Sequence, residues 1–259
     1  LQNIPLTVEK DLSIRAAFKP IDGDVYLSVD YSQIELRVLA HISGDQNLIK
    51  AFKEDQDIHA ATAAEIFGVK LEDVNSDLRR KAKAVNFGIL YGQGPHGLAE
   101  GTGMTFAAAR EFIKKYFEIR PKFKEFIDDT RKKALEEGYV ETLLGRRRPT
   151  PDAKSSNFVV REAALRAAVN MPVQGTAADL TKLAMVKLQQ QFDGKWRMES
   201  GKWENPKMLL QIHDSILVEC KQSDAQNVGN IMKQTMEEVY KLPVKLKVDI
   251  STGQNWGEL

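Results

Sequence analysis

The sequence predicts an α+β fold, in which an antiparallel sheet is built from the two ends of the chain and a helical segment is inserted between them. Three observations predict this fold. Apolar and polar residues alternate over 25–30, as in a half-buried strand. Two apolar runs, 208–212 and 215–220, flank a pair of residues, as in a hairpin. Between these ends, 57–139 shows mainly helical spacing.

The first strand leads directly into a helix. Residues 32–35 have the form of a capping box, and apolar residues continue at helical spacing to Ile42. Asp30 is therefore predicted to lie where a strand ends and a helix begins. Side chains at such a place are both exposed and well fixed.

Local signals of the same kind predict the other elements. The helical segment is broken near Gly68, near 92–103 and near Pro121. A strand is predicted over 139–144, followed by a turn at Gly145 and the three arginines after it. A helix from 158 is predicted to stop near Pro172, and a further helix, capped by 176–179, to run through 191. A loop over 193–206, a helix over 228–239 and a closing strand over 244–250 complete the predictions.

The composition excludes several classes of protein. The 259 residues are 42% hydrophobic, which is enough to bury a substantial core. The single cysteine, Cys220, excludes an internal disulfide framework and a cysteine-rich zinc site, and its apolar neighbours predict a buried thiol. No apolar stretch is long enough to span a membrane and no secretory signal is present, so we expect an intracellular protein without a membrane partner. The net charge of +1 is compatible with a local basic groove but does not predict one.

Two aspartates stand at the ends of strands that belong to one predicted sheet. Asp30 ends the first strand, and Asp214 lies at the tip of the hairpin. Two aspartates that meet across a sheet can hold a pair of Mg²⁺ ions about 4 Å apart, which stabilise the attacking and leaving oxygens of phosphoryl transfer. The alternative is that each aspartate merely terminates its strand, since Asp is a common turn residue.

One predicted helix carries a stripe of cations and aromatic residues. Arg79, Lys83, Phe87 and Tyr91 recur every four residues, so they follow one helix face. The cations would neutralise a triphosphate, and the aromatic rings would pack against sugar and base. The alternative is a half-exposed helix with solvated basic residues and core aromatics. Gly88 counts against that alternative, because glycine costs about 1 kcal/mol in a helix interior.

These segments together resemble family A DNA polymerases, the DNA polymerase I type, in the same order along the chain. Residues 30–37 resemble motif A, 79–92 resemble motif B and 211–214 resemble motif C. The opening 1–5 and the segment 170–179 also match the family. The resemblance runs nearly end to end, and the ordered set of motifs is far more specific than any one of them.

The resemblance implies a right-hand polymerase fold with a palm over 1–56 and 140–259, fingers over 57–139, and no thumb. It implies a DNA-directed DNA polymerase core, a nucleotidyltransferase that extends a primer by two-metal transfer with two Mg²⁺ ions, for which Mn²⁺ can substitute. Its partners would be primer-template DNA and dNTPs. We expect a monomer in the bacterial cytoplasm, associated with the nucleoid. The start at Leu1 without an initiator Met suggests a fragment, whose thumb and exonuclease domains lie outside this chain.

The resemblance also implies roles for individual residues. Asp30, Asp214 and the backbone carbonyl of Tyr31 would bind metal, and Lys83 would join the two aspartates in catalysis. The nucleotide would be contacted by Ser32, Gln33, Ile34, Glu35, His59, Arg79, Lys83, Phe87 and Tyr91. The DNA would be contacted by Tyr91, Gly92, Arg166, Asn170, Gln174 and His213. Within this set, Glu35 would be the steric gate against ribonucleotides, and Phe87 would discriminate against dideoxynucleotides.

Several of these residues have ordinary structural alternatives. Glu35 is also the third residue of the capping box. Gln33 and Asn170 are equally consistent with buried amides that are hydrogen-bonded to backbone. The arginines at 146–148 fit a solvated hairpin turn at least as well as a contact with DNA phosphates.

The sequence departs from the family in motif C, where Ser215 stands in place of the usual glutamate. Serine cannot supply negative charge to a metal site, so we expect metal binding to persist with a reduced rate or an altered metal preference. Two other functions stay open. A single-subunit RNA polymerase shares the fold, although Glu35 disfavours ribonucleotides. A catalytically silent or thumb-dependent DNA-binding fragment is favoured by Ser215 and by the missing thumb, and is opposed by the retained aspartates and cations.

Overall fold

The computed structural model describes Ile4, residues 13–195 and residues 206–259. The strands are β1 (Asp24–Tyr31), β2 (Tyr139–Glu141), β3 (Arg147–Pro149), β4 (Lys207–Ile212), β5 (Ser215–Lys221) and β6 (Val248–Gly253). The helices are α1 (Ile34–Ser43), α2 (Gln46–Lys53), α3 (Ile58–Phe67), α4 (Ser76–Leu90), α5 (Pro95–Thr102), α6 (Phe106–Ile119), α7 (Pro121–Glu136), α8 (Phe158–Lys195) and α9 (Ala225–Glu237). The opening segment, apart from Ile4, and 196–205 of the predicted loop lie outside the described residues.

The main sheet is antiparallel and has the strand order β4-β5-β1-β6. It combines the two ends of the chain, as the sequence predicts, because β1 comes from the first part and the other three strands from the last. The predicted hairpin is confirmed: Ile212 pairs directly with Ser215, so His213 and Asp214 form a two-residue turn. His213 adopts a φ of 54°, a left-handed conformation that is uncommon outside glycine and that short hairpin turns require.

Each face of the sheet is covered within the unit formed by residues 1–34 and 177–259. On one face, α9 packs on β1, β5 and β6. On the other face, Tyr26, Leu217 and Trp256 form a buried cluster. Because both faces are covered, Tyr26 is buried at a position where the alternation of β1 predicts a polar surface. Cys220 is buried, as predicted.

The second compact unit, residues 35–176, is mainly helical. Helix α3 packs on α4, and α5 packs on α6. The predicted breaks are confirmed: Gly68 and Gly103 end their helices in the left-handed conformation, and Pro121 begins α7. A buried cluster from α7, β2 and the start of α8 includes Ala134, Val140 and Leu165.

The predicted helix end near Pro172 is wrong. Helix α8 runs for 38 residues from Phe158 to Lys195 with Pro172 inside it, so the separate helix predicted from 176–179 does not exist. An interior proline costs roughly 3 kcal/mol in local terms. Pro172 is buried together with Met171 and Val173, and we attribute the continuity of the helix to the packing of this turn.

Three other predicted boundaries differ from the structure. Arg147 and Arg148, predicted as part of a turn over 145–148, belong to β3, which pairs with the shortened strand β2. Residues 193–195, predicted as the start of a loop, are the end of α8. The closing strand begins at Val248 rather than at 244, because Val248 pairs with Tyr31, the last residue of β1. On the N-terminal side of Val248, Ser32 still donates its amide to the Lys247 carbonyl, but β1 has ended at Tyr31 and the regular ladder does not continue.

Among the described residues, none of the helices combines the length and the apolar character that crossing a bilayer requires.

Candidate functional site

Asp30 and Asp214 come together at one end of β1. The Tyr31 amide donates a hydrogen bond of 3.3 Å to the Asp214 carbonyl, which ties the hairpin turn to the end of the strand. The carboxyl groups of Asp30 and Asp214 are close enough for the charge of Asp214 to act on Asp30. Tyr31 itself is buried, and its hydroxyl donates to the Met236 carbonyl on α9 at 2.8 Å. The turn, the strand and the helix beneath them therefore hold the two carboxyl groups in place.

The surroundings of the Asp30 carboxyl disfavour its ionised form. Loss of hydration around the Asp30 carboxyl raises its pKa, and the charge and hydrogen bond of Asp214 and the charge of Asp249 raise it further, to about 7. Two carboxylates that share a site disfavour each other's ionised form. A bound cation would relieve this repulsion, so the pair is suited to a positively charged ligand.

Asp249 is a residue that the sequence analysis missed. It pairs with Asp30 across β1 and β6, and register partners in an antiparallel sheet project from the same face. The sequence predicts this strand from its alternating apolar residues. Asp249 occupies the polar position between Val248 and Ile250. That position in the alternation is the signal that could have identified it.

Ser215 lies on the other side of Asp30, as its register partner on β5. The hydroxyl of Ser215 donates to the Ile212 carbonyl at 2.9 Å. The serine therefore closes the hairpin, and the negative charge next to Asp30 comes from Asp214 and Asp249.

The acidic pair fits a magnesium site in its chemistry. Within the described ranges, no three His, Cys, Asp or Glu side chains form a group that could hold a metal ion by themselves. Mg²⁺ is usually held by only one or two carboxylates, with water and substrate phosphates as further ligands. Asp30, Asp214 and the Tyr31 carbonyl are sufficient for a site of that kind.

A second group of predicted residues lies on α3 and α4. The Asp57 carboxylate caps α3 by accepting from the amides of His59 and Ala60, at 2.9 and 3.1 Å. Its other oxygen accepts from Nε of Arg79 at 2.6 Å. Burial alone would raise the pKa of Asp57, but the hydrogen bonds and charge of Arg79 lower it overall. One aspartate thus fixes both the start of α3 and the direction of the Arg79 side chain.

The rest of the α4 stripe continues from Arg79 as predicted. Lys83 is exposed and forms no salt bridge with any described residue. The Phe87 ring lies between two others, with centroids 5.7 Å from His59 and 6.2 Å from Tyr91, and it is stacked on Tyr91. The stripe therefore presents a cationic end and an aromatic end.

Glu35 meets the aromatic end of this stripe. The Tyr91 hydroxyl donates to Oε2 of Glu35 at 2.8 Å, which joins residues 56 positions apart in the sequence. The Tyr91 side chain is about one-third exposed (36%). Glu35 is thus tied to α4, an arrangement that a capping role alone does not account for.

Gly88 lies where the chain folds back after α4. The backbone amide of Gln93 donates to the Gly88 carbonyl at 2.7 Å. A Cβ at Gly88 would lie 2.6 Å from Oε1 of Gln93. That oxygen is the end of a flexible side chain, which could move aside.

The predicted DNA-contact residues fall into two places. Arg166, Asn170 and Gln174 follow one another at four-residue intervals on α8, and Arg166 and Gln174 are exposed. Gly92, with a φ of 71°, lies against Arg166: a Cβ there would be 2.7 Å from the Arg166 Cγ. His213 is exposed at the tip of the β4–β5 hairpin.

The structure bears on the alternatives for the buried amides. Oε1 of Gln33 and Oδ1 of Asn170 are buried and have no hydrogen-bond partner among the described residues. The backbone partners that the structural alternative requires are not seen for either oxygen.

The segment around Gln33 leads from β1 into α1. Gln33 adopts a φ of 54°, whereas its neighbour Ile34 is a core residue with 2% exposure. Ser32 donates its amide to the Lys247 carbonyl at 2.8 Å.

Two of the three arginines at 146–148 have partners inside the protein. Arg146 donates to the Gly175 carbonyl at 3.0 Å. Arg147 pairs with Glu141 at 3.4 Å and lies over the Tyr139 ring. These contacts account for the two arginines as parts of the β2–β3 hairpin.

The predicted site residues thus form two sets. The first compact unit contains Asp30, Tyr31, Ser32, Gln33, Ile34, His213 and Asp214, and the second contains Glu35, His59, Arg79, Lys83, Phe87, Tyr91, Gly92, Arg166, Asn170 and Gln174.

Comparison with known proteins gives a consistent result. The family described as "DNA polymerase family A" matches residues 1–258. Similar curated proteins include DNA polymerase I of Lactococcus lactis subsp. lactis (strain IL1403), which is 46% identical over all 259 residues and is matched over 29% of its own length. The thermostable DNA polymerase I of Thermus aquaticus is 47% identical over 256 residues, which are 99% of this chain and 30% of that protein.

Among solved structures, the POL domain of Pol1 from M. smegmatis, in complex with DNA primer-template and dNTP, matches with a TM-score of 0.90 and 37% identity. The match covers all of this chain and 44% of that chain. The chain spans less than a third of the length of these curated relatives.

Proposed function

The chain belongs to DNA polymerase family A, and from this premise we propose that it is the palm and fingers core of a DNA-directed DNA polymerase that extends a primer with dNTPs. In this proposal the palm comprises 1–56 and 140–259 and the fingers comprise 57–139. The likeness to a polymerase domain that is complexed with primer-template and dNTP supports the choice of substrates.

The observation that carries this proposal is the carboxyl pair of Asp30 and Asp214. Two acidic groups lie together at the end of an internal strand, although the charge of Asp214 disfavours ionisation of Asp30. Such an arrangement is costly for a structural role and well suited to divalent cations. Mg²⁺ ions held there, with Mn²⁺ as a substitute, would stabilise the charge on the attacking and leaving oxygens of nucleotidyl transfer.

The cationic end of α4 would hold the triphosphate. Lys83 is exposed and forms no salt bridge with the described residues, so its charge is available to a phosphate. Arg79 is aimed by Asp57, and His59 lies next to Phe87 on the neighbouring helix. These groups would offset negative charge on the departing pyrophosphate.

The aromatic end of α4 would select the sugar. Phe87 would pack against the sugar and base of the incoming nucleotide. Glu35, held by Tyr91, would occupy the space of a ribose 2′-hydroxyl. Because the Glu35 carboxylate has a hydrogen-bonded partner on α4, it is positioned before any nucleotide enters.

DNA would be held by residues whose polar groups have few partners among the described residues. Arg166 and Gln174 are exposed on one stripe of α8, and the buried Oδ1 of Asn170 between them has no partner among the described residues. Gly92 and His213 would complete the contacts with template and primer.

A second candidate function is favoured by Ser215. Its hydroxyl is engaged with the hairpin backbone, so it does not substitute for an acidic metal ligand. A catalytically silent DNA-binding fragment is consistent with that loss. The same test separates the two functions.

The test is primer extension with the 259-residue chain, dNTPs and Mg²⁺, using Asp214→Asn and, as a matched control, Asp22→Asn at an exposed site. We expect extension by the unmodified chain and by the control, and loss of extension in Asp214→Asn. Because the Asn variant removes repulsion from the carboxyl pair, its melting temperature should not fall, so the loss cannot be attributed to unfolding. DNA binding without extension in the unmodified chain would support the silent fragment instead.

A further inference from the structure

A buried chain of polar side chains leads from His59 into the interior of the second unit. Its members are His59 and Thr62 on α3, Asn86 on α4, and Arg120 between α6 and α7, and each is at most 2% exposed. Nδ2 of Asn86 lies 3.0 Å from Nδ1 of His59 and 3.2 Å from Oγ1 of Thr62. Nη2 of Arg120 lies 3.0 Å from the same Thr62 oxygen and 3.2 Å from Glu65. Burying polar groups this deeply is costly unless they are hydrogen-bonded. Nη2 of Arg120 has two partners, whereas its Nε and Nη1 have none among the described residues.

The donor and acceptor roles in this buried network follow from Arg120, which lies at the opposite end of the network from His59. A guanidinium can only donate, so Arg120 donates to Thr62. The Thr62 hydroxyl has a single proton, which it donates to the Ile58 carbonyl at 2.7 Å. The Thr62 oxygen is therefore an acceptor towards its other neighbours. It lies 3.2 Å from the amide nitrogen of Asn86 and 3.4 Å from the amide oxygen, and it accepts from the nearer nitrogen. The second proton of that nitrogen is directed at His59.

The hydrogen bond from Asn86 decides where the proton of His59 lies. Because an amide nitrogen donates, Nδ1 of His59 must be the unprotonated, accepting nitrogen. The ring is neutral at ordinary pH, since burial and the nearby charges of Arg79 and Lys83 outweigh Asp57 and lower the pKa of His59 to about 4. A neutral imidazole has one proton, which is then on Nε2. Nε2 has no hydrogen-bond partner among the residues that the structure describes.

We propose that Asn86, held in turn by Thr62 and Arg120, is a positioning residue that fixes His59 as its Nε2–H tautomer and so makes the ring a neutral hydrogen-bond donor for a triphosphate oxygen. The assignment of the ligand rests on the proposed function, whereas the assignment of the tautomer does not. In the opposite tautomer, Nε2 of His59 would direct a lone pair at the triphosphate oxygen. Two hydrogen-bond acceptors would then face each other.

The tautomer can be measured in the ligand-free chain by long-range proton–nitrogen correlation NMR with ¹⁵N-labelled histidine. The chain has four histidines, and His59→Gln assigns the signal of interest. We expect a pyridine-type Nδ1 and a pyrrole-type Nε2 at His59. A protonated Nδ1 in the unmodified chain would overturn the proposal, whatever the variants show.

Two variants test whether Asn86 is the cause. Asn86→Asp is close in shape and offers only acceptors when ionised, so the Nδ1 signal should move to the pyrrole type or the ring should become doubly protonated. Asn86→Leu removes the donor, and both tautomers should then be populated. Thr62→Val, which deletes only the hydroxyl, should weaken the preference in the same direction. An unchanged Nε2–H tautomer in both Asn86 variants would show that Asn86 does not set it.

Kinetics connect the tautomer to the ligand. In primer extension, Asn86→Leu should raise KM for the dNTP by about tenfold, equivalent to about 1.4 kcal/mol, with a smaller change in kcat, because the lost hydrogen bond is made to bound substrate. An unchanged KM in a variant with mixed tautomers would refute the assignment of the ligand. An unmodified chain without extension but with the expected tautomer would instead refute the proposed function and leave the role of Asn86 intact.

Discussion

Replacing His59 with glutamine tests how strongly the fold disfavours a positive charge at this position. His59 is 2% exposed, and burial together with Arg79 and Lys83 lowers its pKa from the ordinary value of 6.5 to about 4. In the unfolded chain the imidazole takes up a proton as the pH falls through 6.5, whereas in the folded chain it stays neutral until about 4. The unfolded state therefore binds more protons in this window, and stability must fall as the pH falls.

The size of the effect follows from the two pKa values. Between pH 7.5 and pH 5.0, the shift from 6.5 to about 4 corresponds to a loss of about 2 kcal/mol in the free energy of unfolding. The raised pKa of Asp30 acts in the opposite sense. Its carboxyl binds a proton more readily in the folded state than in the unfolded state, so the folded state becomes less stable as the pH rises. That contribution is common to the unmodified chain and the His59 variant, and it cancels in their difference.

The assay is urea unfolding followed by circular dichroism at several pH values. The difference in unfolding free energy between the unmodified chain and His59→Gln should shrink by about 2 kcal/mol on going from pH 7.5 to pH 5.0. His96→Gln, at an exposed position, controls for the loss of one histidine. Parallel pH profiles for the unmodified chain and His59→Gln would refute the reasoning, because they would show that His59 titrates alike in both states.

Further perturbations test other parts of the site. Gly92→Ala should lower the free energy of unfolding by more than Gly44→Ala: both have positive φ, but only at Gly92 does a Cβ meet a neighbouring side chain, at 2.7 Å, and equal urea midpoints would contradict this. Phe87→Tyr should reduce discrimination against dideoxynucleotides in competition assays, since it adds a hydroxyl near the sugar; unchanged selectivity would count against the placement of α4. Glu35→Ala should increase the ratio of ribonucleotide to deoxynucleotide incorporation, and an unaltered ratio would exclude a gating role. Ser215→Glu should change the relative rates with Mg²⁺ and Mn²⁺, and identical kinetics would show that the serine is immaterial.

Much of the chain was predictable because its signals are local. The alternation over 25–30, the helix breaks at Gly68 and Gly103, and the two-residue hairpin turn each depend on a few neighbouring residues. The predictions of secondary structure failed where contact with residues distant in the sequence determines the structure. Pro172 continues inside a helix in which its neighbours are buried. The closing strand starts only where it finds β1 beside it.

The same division applies to the candidate site. The ordered motifs in the sequence predict Asp30, Asp214 and the α4 stripe as site residues, because this prediction needs only residue type and spacing. Sequence spacing does not show which side chains share a hydrogen bond across elements. Asp249 became visible only through strand register, and Asn86 only through its contact with His59.

The sequence by itself determined the class of fold, the family and the residue types of the chemistry, since these are written in local patterns and in the order of the motifs. Only the tertiary structure decided how the residues act on one another. It determines the burial and the neighbouring charge of Asp214 that raise the pKa of Asp30, the hydrogen bond between Asp57 and Arg79, and the buried network that ends at His59. The physical reason is that electrostatic and hydrogen-bond energies depend on distances of a few ångströms and on burial. Both quantities are set when remote segments pack together.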